Sequence, residues 1–317
     1  MVPYLGQYYT IFCPPGAIGY LILFQISAHE DPKFWYNMGQ MNLTSPSQVK
    51  AWCIERQFHP NKILGQNFLV DRNIVEAIVD TGLSGAREDD VILEVGPGLG
   101  VLTEALLNRG RRVIAIEKDP CLAEGLASRV AETEEARARL VCIEGDALDI
   151  LARDDEALRG AEIFVSNLPY QAGTRILLDL VETREMREMT VLLQKEVAER
   201  LAAPQGSRAR SLAGVFAQLD YDVEIVRKVS ASCFWPRPEI DSAVAKLTRH
   251  DRNADFGENE RALFRRLVKT AFAHRRKQLA SIFKNLVSST KRPEALSIEE
   301  WKQLTKGLLN EDPRRLP

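Results

Sequence analysis

Short apolar runs alternate with stretches of helical periodicity from about residue 71 onward. Most of these runs have the length of a buried strand and are followed by glycine, acidic or turn-forming residues. The runs are "VILEVG" (91–96), "RVIAIEKD" (112–119), "LVCIEGDAL" (140–148), "EIFVSN" (162–167) and "MTVLLQ" (189–194). Between them, apolar residues recur every three or four positions, as in "LTEALLNRG" and "CLAEGLASRVAE". This alternation predicts an α/β fold with a doubly wound, mostly parallel sheet covered by helices.

The pattern changes towards the C-terminus. The strand-like segments "YDVEIVRKV" and "DSAVAKLTR" are joined by the proline-rich "FWPRPEI" without a helix, which predicts an antiparallel pair at one sheet edge. After about residue 252, "ENERALFRRLVKTAFAHRRKQLASIFKNL" and "SIEEWKQLTKGLL" have helical spacing. We therefore expect an N-terminal extension (1–48), an α/β domain (49–252) and a small helical domain (253–317).

The first forty residues differ from the rest. No Lys or Arg precedes Lys33, so the basic segment of a signal peptide and the arginines of a transit peptide are missing. The apolar run "AIGYLILF" is too short to span a bilayer. Our hypothesis is that translation starts near Met41; the alternative is a weakly ordered tail. The intact mass of protein made from its native gene discriminates, since a species retaining residues 1–40 contradicts the later start.

Composition excludes some function classes. Hydrophobic residues make up 45% and charged residues 27%, as in ordinary globular proteins, and 317 residues suffice for one large and one small domain. The net charge of −2 does not indicate a nucleic-acid partner, so any such surface must be local. Five cysteines without a CxxC pair and four histidines without metal-ligand spacing predict reduced thiols, a cytoplasmic protein and no metal site.

Candidate ligand-binding residues follow three successive strands. In "EVGPGLG", Gly96, Gly98 and Gly100 let the backbone turn sharply and approach a ligand. Glu117 ends the next strand, where a carboxylate can accept both ribose hydroxyls of an adenosine, and Asp146 ends the third, where an acid can hold the adenine amino group. Taken singly, either acid could equally be a solvated strand end or a helix cap. Together with the loop they predict a nucleoside site.

The glycine spacing bears on the cofactor. A nicotinamide enzyme is expected to have GxGxxG, in which the extra residue serves a pyrophosphate. This chain has GxGxG. S-adenosylmethionine has no pyrophosphate and needs room for a methionine tail beside the first loop. The spacing therefore favours a methyl donor.

The fourth strand leads into "NLPY", which places an amide, a proline and an aromatic ring side by side. Methylation of adenine N6 is helped by acceptors for both amino hydrogens, and the side-chain oxygen of Asn167 with the carbonyl of Leu168 or Pro169 could supply them. Pro169 fixes the local backbone. Tyr170 offers a face for a base taken out of its stack. The alternative is a strand-ending Asn with a proline turn and a half-buried Tyr.

Several blocks carry a family resemblance. In order they are "LGQNFLVD", "LEVGPGLGVLTEAL", "VIAIEKD", "GDAL", "NLPY", "LLQKEVAERL", "FWPRPEIDSAV" and "AFAHRRKQL". From about Asn61 to its C-terminus the chain resembles the small-subunit (16S) rRNA adenine-N6 dimethyltransferases. The resemblance implies a Rossmann-like class I S-adenosylmethionine-dependent methyltransferase fold, with a seven-stranded sheet and a small α-helical C-terminal domain. It also implies dimethylation of two adjacent adenosines in the 3′-terminal hairpin loop of 16S rRNA, during small-subunit biogenesis.

The resemblance further implies residue roles. Gly96 would touch the methionine part of the cofactor, Glu117 its ribose and Asp146 its adenine. Asn167 would lie between cofactor and target amine, and Tyr170 would stack on the target base. The implied cofactor-binding residues are Asn67, Leu69, Gly96, Gly98, Glu117, Lys118, Asp146, Ala147 and Asn167. Read locally, "QNFL" would be only a helix cap with a core Phe68 and Leu69.

Two segments depart from the family pattern. "SLAGVFAQLDYD" stands where the family more often has an Arg-Leu-Ser-Val block and an aromatic pair, and we expect repacking there or an altered RNA-facing helix. "QAGT" follows "NLPY" where a β-branched residue and serine are more common, and Gly173 is expected to loosen the start of that helix.

A basic cluster offers a local RNA surface. Residues 257–284 contain eight basic and two acidic side chains. We expect Arg275, Arg276 and Lys277 to contact rRNA phosphates, with a solvated helix face as the alternative. The expected partner is 16S rRNA in the small subunit or its precursor, and the expected state is a monomer without membrane contact.

Four rival functions stay open from the sequence. They are a 23S rRNA methyltransferase conferring macrolide resistance, a DNA adenine methyltransferase, a nicotinamide dehydrogenase, and a non-catalytic ribosome-assembly or transcription factor on the same fold. The first usually has Ile in place of Leu168 and a more basic chain, and the second more often has an Asp/Asn-Pro-Pro-Tyr block. The loop spacing disfavours the third, and intact Glu117, Asp146, Asn167 and Tyr170 disfavour the fourth.

Overall fold

The computed structural model describes residues 41–61, 63–153, 156–183, 186–284 and 286–309. Both expectations for residues 1–40 lie outside these ranges. Helix α1 (Pro46–Glu55) has proline in its first turn, where the missing amide proton costs nothing, and it buries Val49, Trp52 and Cys53. The predicted boundary at residue 49 therefore falls inside a helix that packs on the core.

Nine strands run through the described chain. They are β1 (Phe68–Leu69), β2 (Val91–Val95), β3 (Arg112–Glu117), β4 (Leu140–Glu144), β5 (Ala161–Asn167), β6 (Glu188–Gln194), β7 (Tyr221–Val229), β8 (Phe234–Trp235) and β9 (Ser242–Arg249). Seven of them form one sheet in the order β4-β3-β2-β5-β6-β9-β7, and β1 pairs with β8 separately.

The strand directions confirm the predicted fold class. The five strands from β4 to β6 in the sheet are parallel neighbours, and β9 runs antiparallel to both β6 and β7. A helix lies between successive parallel strands and returns the chain to the starting edge. Residues 230–241 contain no such α-helix, so β9 returns in the opposite direction. This is the antiparallel edge pair that the sequence predicts.

The remaining helices follow the predicted periodicity with two differences. They are α2 (Arg72–Leu83), α3 (Val101–Asn108), α4 (Pro120–Glu124), α5 (Leu126–Val130), α6 (Glu134–Ala138), α7 (Ala147–Ala152), α8 (Gly173–Thr183), α9 (Lys195–Ala202), α10 (Leu212–Asp220), α11 (Glu258–Ala273), α12 (Leu279–Ile282) and α13 (Ile298–Leu308). "CLAEGLASRVAE" forms two helices divided at Gly125, a poor helix former. The long C-terminal segment is broken between α11 and α12.

The sheet buries both faces. Ile92, Val113 and Val165 pack with α2, α3 and α5 on one face. Leu93 and Phe164 pack with α7, α8 and α9 on the other. Neighbouring residues of a strand point to opposite faces, so a continuous apolar run indicates a strand covered on both sides.

Helix α10 joins the sheet to the C-terminal helices, confirming a small helical C-terminal region. Its Val215, Phe216 and Leu219 belong to a third apolar cluster with Phe264 of α11 and Trp301 of α13. The atypical segment "SLAGVFAQLD" forms α10 and therefore lies at this contact; its expected repacking stays a prediction. The division at residue 253 remains a prediction.

Candidate active site

A cavity of about 410 Å³ lies at the sheet edge where β2, β3, β4 and β5 end. This volume is within the range of roughly 300–1,000 Å³ for small-molecule sites. All residues predicted to bind the cofactor or to act in catalysis line it. They are Asn67, Leu69, Gly96, Gly98, Glu117, Lys118, Asp146, Ala147, Asn167, Leu168, Pro169 and Tyr170.

The glycine loop after β2 has backbone conformations that other residues rarely adopt. Gly98 has φ +61° and Gly100 has φ +97°. A Cβ on Gly100 would come within 2.3 Å of Val130 Cγ1, so the loop also lies too close to α5 for a side chain there. The first amide of the loop, from Gly96, donates to the Ile116 carbonyl at 2.8 Å and joins the loop to β3.

Glu117 is buried at the end of β3, so it is not a solvated strand end. Its carboxylate accepts the amides of Gly98 and Asp119, both at 2.9 Å. Burial raises the pKa of Glu117, and the backbone hydrogen bonds oppose that rise. Each carboxylate oxygen has a second lone pair, so both can also accept a ligand hydroxyl.

Asp146 caps a helix as well as lining the cavity. One of its oxygens accepts the Leu148 amide at 2.9 Å at the start of α7, and the other lies 2.7 Å from Lys118 Nζ. The bond to Lys118 holds the pKa of Asp146 below its ordinary value. The carboxylate is therefore ionised at neutral pH and fixed in position, as a hydrogen-bond acceptor for a ligand requires.

The two asparagines of the cavity are linked. Asn167 Nδ2 donates to the Asn67 carbonyl at 3.4 Å, and Asn67 Nδ2 donates to the Gly65 carbonyl at 3.2 Å. Because the amide nitrogen of Asn167 is held by the "QNFL" segment, its oxygen is directed away from that segment. Among the described residues no donor to this oxygen is found.

The backbone after β5 decides between the two candidate carbonyls. The Pro169 carbonyl accepts the amides of Ala172 and Gly173, at 3.2 and 2.7 Å. No such bond to the Leu168 carbonyl occurs within the described ranges, so Leu168 is the better acceptor. Gly173 is buried at the start of α8, and a Cβ there would lie 3.0 Å from Leu168 Cβ. Gly173 thus allows a close approach to Leu168, and the expected loosening of this helix stays a prediction.

Tyr170 is held at two points. Its hydroxyl lies 2.7 Å from Ser242 Oγ at the start of β9, and its ring meets that of Phe234 edge to face at 6.5 Å. Burial raises the pKa of Tyr170, so the phenol is protonated at neutral pH. A ring fixed in this way presents a stable face to the cavity that it lines.

Sequence reasoning missed Glu94 and Gln66, which also line the cavity. Glu94 is only 1% exposed and accepts the Thr103 hydroxyl at 2.7 Å. An acid inside the apolar run "VILEV" was the available signal. Gln66 donates to Asp119 at 2.7 Å and accepts the Asn61 amide at 2.7 Å, closing a loop that no local pattern indicates.

Replacing Glu94 with Gln should make the protein more stable at pH 8. Burial raises the pKa of Glu94 from 4.5 to about 8, with the Thr103 bond opposing and the Glu117 charge assisting. As the pH rises, Glu94 therefore ionises in the unfolded chain before it ionises in the folded protein. Below pH 4.5 the protonated carboxyl lets the folded state keep its full stability, and this contribution to the free energy of unfolding is lost as the pH rises towards 8. Urea unfolding should give a gain of about 2–4 kcal/mol at pH 8 and much less at pH 5. Equal effects at both pH values would contradict the shift, and Glu144→Gln, an exposed strand end, is the control.

The three basic residues assigned to RNA binding lie outside the cavity. Arg275, Arg276 and Lys277 follow the end of α11, so they occupy a turn and not a helix face. Arg276 and Lys277 are exposed, and Arg275 Nη2 donates to the Arg208 carbonyl at 2.9 Å. This contact fixes the turn against the connection between α9 and α10.

Other members of the basic cluster have intramolecular partners. Arg261 makes two bonds to Asp220, at 2.5 and 2.9 Å, and Arg265 lies 3.5 Å from Glu182. Lys269 lies over the Phe216 ring at 5.8 Å. The number of basic residues in the sequence therefore overstates the charge available to RNA.

Two further observations concern the described ranges alone. No group of three or more His, Cys, Asp or Glu side chains there is arranged to hold a metal ion. Every helix there is too short or too polar to serve as a membrane span.

Comparisons with known proteins identify similar chains. A family model described as ribosomal RNA adenine dimethylase matches residues 57–313. "Ribosomal RNA small subunit methyltransferase A" of Lactobacillus delbrueckii subsp. bulgaricus is 36% identical over 285 residues, covering 87% of this chain and 91% of that protein. The protein of the same name from Rhodococcus erythropolis is 38% identical over 259 residues, covering 81% and 85%.

Two crystal structures are similar in fold. A dimethyladenosine transferase from Plasmodium falciparum has a TM-score of 0.62 at 23% identity, covering 75% of this chain and 96% of that one. The 23S rRNA methyltransferase ErmE has a TM-score of 0.57 at 23% identity, covering 76% and 99%. At this identity the likeness establishes the fold.

Proposed function

The chain belongs to the ribosomal RNA adenine dimethylase family, and we propose that it dimethylates the N6 amines of two adjacent adenosines in the 3′-terminal hairpin loop of 16S rRNA. It is an S-adenosylmethionine-dependent rRNA adenine dimethyltransferase. The observation that carries the proposal is that "NLPY" and the nucleoside-binding acids Glu117 and Asp146 line one cavity. Donor and target base can therefore meet there.

The residues present fit S-adenosylmethionine. Glu117 and Asp146 follow adjacent strands and offer carboxylate oxygens to a ribose diol and an adenine amine. Gly96 has φ +69° and leaves its side of the cavity without a side chain. When bound, this cofactor supplies a methyl group activated by a sulfonium centre.

The chain's own residues position the target amine. The Asn167 oxygen and the Leu168 carbonyl accept its two hydrogens, which favours the tetrahedral nitrogen that attacks the methyl carbon. Tyr170 supports the base from one face. Methyl transfer would leave the amine nitrogen cationic, and its proton could then pass to water. A strong general base is not required.

The small subunit is favoured over the large one as substrate. Relatives named as small-subunit methyltransferases are 34–38% identical over most of their length. We further propose that the protein acts in the cytoplasm as a monomer during small-subunit biogenesis.

A labelling experiment tests the substrate. The protein is incubated with labelled S-adenosylmethionine and either unmethylated small subunits or large subunits, and the product is mapped by mass. We expect four methyl groups on two adjacent adenosines of 16S rRNA. Label confined to 23S rRNA would transfer the assignment to the large-subunit enzymes.

Changing Arg275, Arg276 and Lys277 together to Ala should weaken binding of small subunits about 10- to 100-fold. Loss of three phosphate contacts should also make the slope of log K against log salt concentration less steep, by about one for each contact. Filter binding at several salt concentrations measures both, and calorimetry should show unchanged affinity for S-adenosylmethionine. A matched control removes Arg112, Arg153 and Arg159, which are exposed at the start of β3 and in the connection between α7 and β5. Loss of cofactor binding in the first variant would refute the separation of the two sites.

A further inference from the structure

A half-buried arginine, Arg129, contacts the glycine loop but does not line the cavity. Arg129, on α5, donates from Nε to the Leu99 carbonyl at 3.4 Å and from Nη2 to the Gly98 carbonyl at 3.5 Å. Nη2 also donates to the Leu122 carbonyl at the middle of α4. One side chain thus connects the loop after β2 with the helix after β3, and these two segments carry the cavity residues Gly98 and Leu122.

The same guanidinium contacts the N-terminal helix. Its central carbon lies 5.6 Å from the centre of the Trp52 ring, and Arg56 lies over that ring at 4.9 Å. Cation–π contacts of this kind are strongest when they are removed from water, as they are at buried Trp52. Arg129 therefore links α1 to the glycine loop.

An aromatic path joins the same two parts independently. Trp52 meets Phe58 edge to face at 5.6 Å, and Phe58 lies 6.3 Å from Phe68. A Cβ on Gly98 would be 3.2 Å from Phe68 Cε1, so that ring packs directly against the loop. Leu43, just before α1, is buried and lines the cavity. Helix α1 is thus connected to the cofactor loop through Arg129 and through these rings.

The loop needs such support because its glycines have no side chains to fix it. With positive φ at Gly96, Gly98 and Gly100, the chain between β2 and α3 has many alternative conformations. The amide of Gly98 must stay on Glu117 for that carboxylate to keep its position. Burial lowers the pKa of Arg129 to about 10, so the side chain is still cationic at neutral pH and forms charge-assisted bonds to the loop carbonyls.

We propose that Arg129 is a positioning residue for S-adenosylmethionine, and that through Trp52 it makes helix α1 a functional part of the cofactor site. Arg129 donates hydrogen bonds to the Gly98 and Leu99 carbonyls, so that the loop keeps the conformation that the cofactor requires. This inference rests on the cofactor named in the proposed function. It assigns a role in binding to residues that do not line the cavity.

Arg129→Met tests the proposal, because it keeps the length and removes every donor. Calorimetry should show about 10- to 30-fold weaker binding of S-adenosylmethionine, while kcat at saturating cofactor stays within about two-fold of wild type. Arg129→Lys keeps the charge and should recover part of the affinity. Trp52→Leu, which keeps Arg129 but removes the ring, should weaken binding about three- to ten-fold.

The control is Arg109→Met. Arg109 follows α3, the helix that comes directly after the glycine loop. It donates hydrogen bonds to Asp80 and Glu76 at the surface. Its loss should leave cofactor affinity unchanged. The proposal is overturned if Arg129→Met binds the cofactor as wild type does. If that variant does not fold, wild-type affinity in both Arg129→Lys and Trp52→Leu overturns it. Failure of wild-type protein to bind S-adenosylmethionine would instead overturn the proposed cofactor.

Discussion

Asn167→Ala is expected to lower kcat for methylation of small subunits by about 100- to 1,000-fold. The side-chain oxygen of Asn167 is the acceptor that favours the reacting geometry of the target amine, and an alanine leaves only the Leu168 carbonyl. The nitrogen of Asn167 also donates to the Asn67 carbonyl, so the variant loses the link to the "QNFL" segment. Single-turnover rates with labelled cofactor measure the chemical step separately from RNA binding.

Two further variants make the result specific. Asn167→Asp keeps acceptor oxygens and should retain more activity than Asn167→Ala. Asn108→Ala, at the exposed end of α3, changes the same side chain outside the cavity and should leave the rate unchanged. All three should unfold near the wild-type temperature. Near-normal turnover of Asn167→Ala would remove Asn167 from its proposed role.

Glu117→Ala is expected to weaken binding of S-adenosylmethionine by about 100-fold or more, because two hydrogen bonds from the ribose to a carboxylate are lost. The variant also leaves the amides of Gly98 and Asp119 without their acceptor, which loosens the loop itself. Isothermal titration with the cofactor and with its demethylated product measures the loss, and both ligands should be affected alike because they share the ribose.

The matched control for this experiment is Glu144→Ala. Glu144 stands beside Glu117 in the register of β3 and β4, yet it is exposed and does not line the cavity. Its removal should leave the affinity as in wild type. If Glu117→Ala binds the cofactor normally, the ribose contact is wrong and Glu117 serves the loop alone.

Some of the fold was accessible from the sequence because the relevant signals are local. The short length of an apolar run of five or six residues and the turn residues beside it favour a buried strand, and helical spacing between such runs favours a parallel sheet. The helix break at Gly125 was harder, since a single glycine is often tolerated within a helix. The break after Ala273 was missed because apolar spacing continues through it.

The candidate site likewise contains residues that the sequence could predict and residues that it could not. Glu117, Asp146 and Asn167 follow three parallel strands, and the carboxyl ends of such strands meet at one edge, so their convergence could be predicted. The buried acid Glu94 could have been suspected from its apolar neighbours, but its proximity to Glu117 could not. The resemblance to a methyltransferase family supplied Asn67 and Leu69, which no local pattern identifies.

By itself the sequence determined the order of strands and helices, the polar residues at the strand ends and the chemistry that they offer. The tertiary structure alone decided that Arg261 and Arg265 bind carboxylates of this chain, and that Arg129 joins α1 to the glycine loop. The physical reason is the separation along the chain over which each kind of interaction acts. Periodicity and turn chemistry act between residues a few positions apart, whereas hydrogen-bond partners and buried contacts are chosen by packing between segments far apart in the chain.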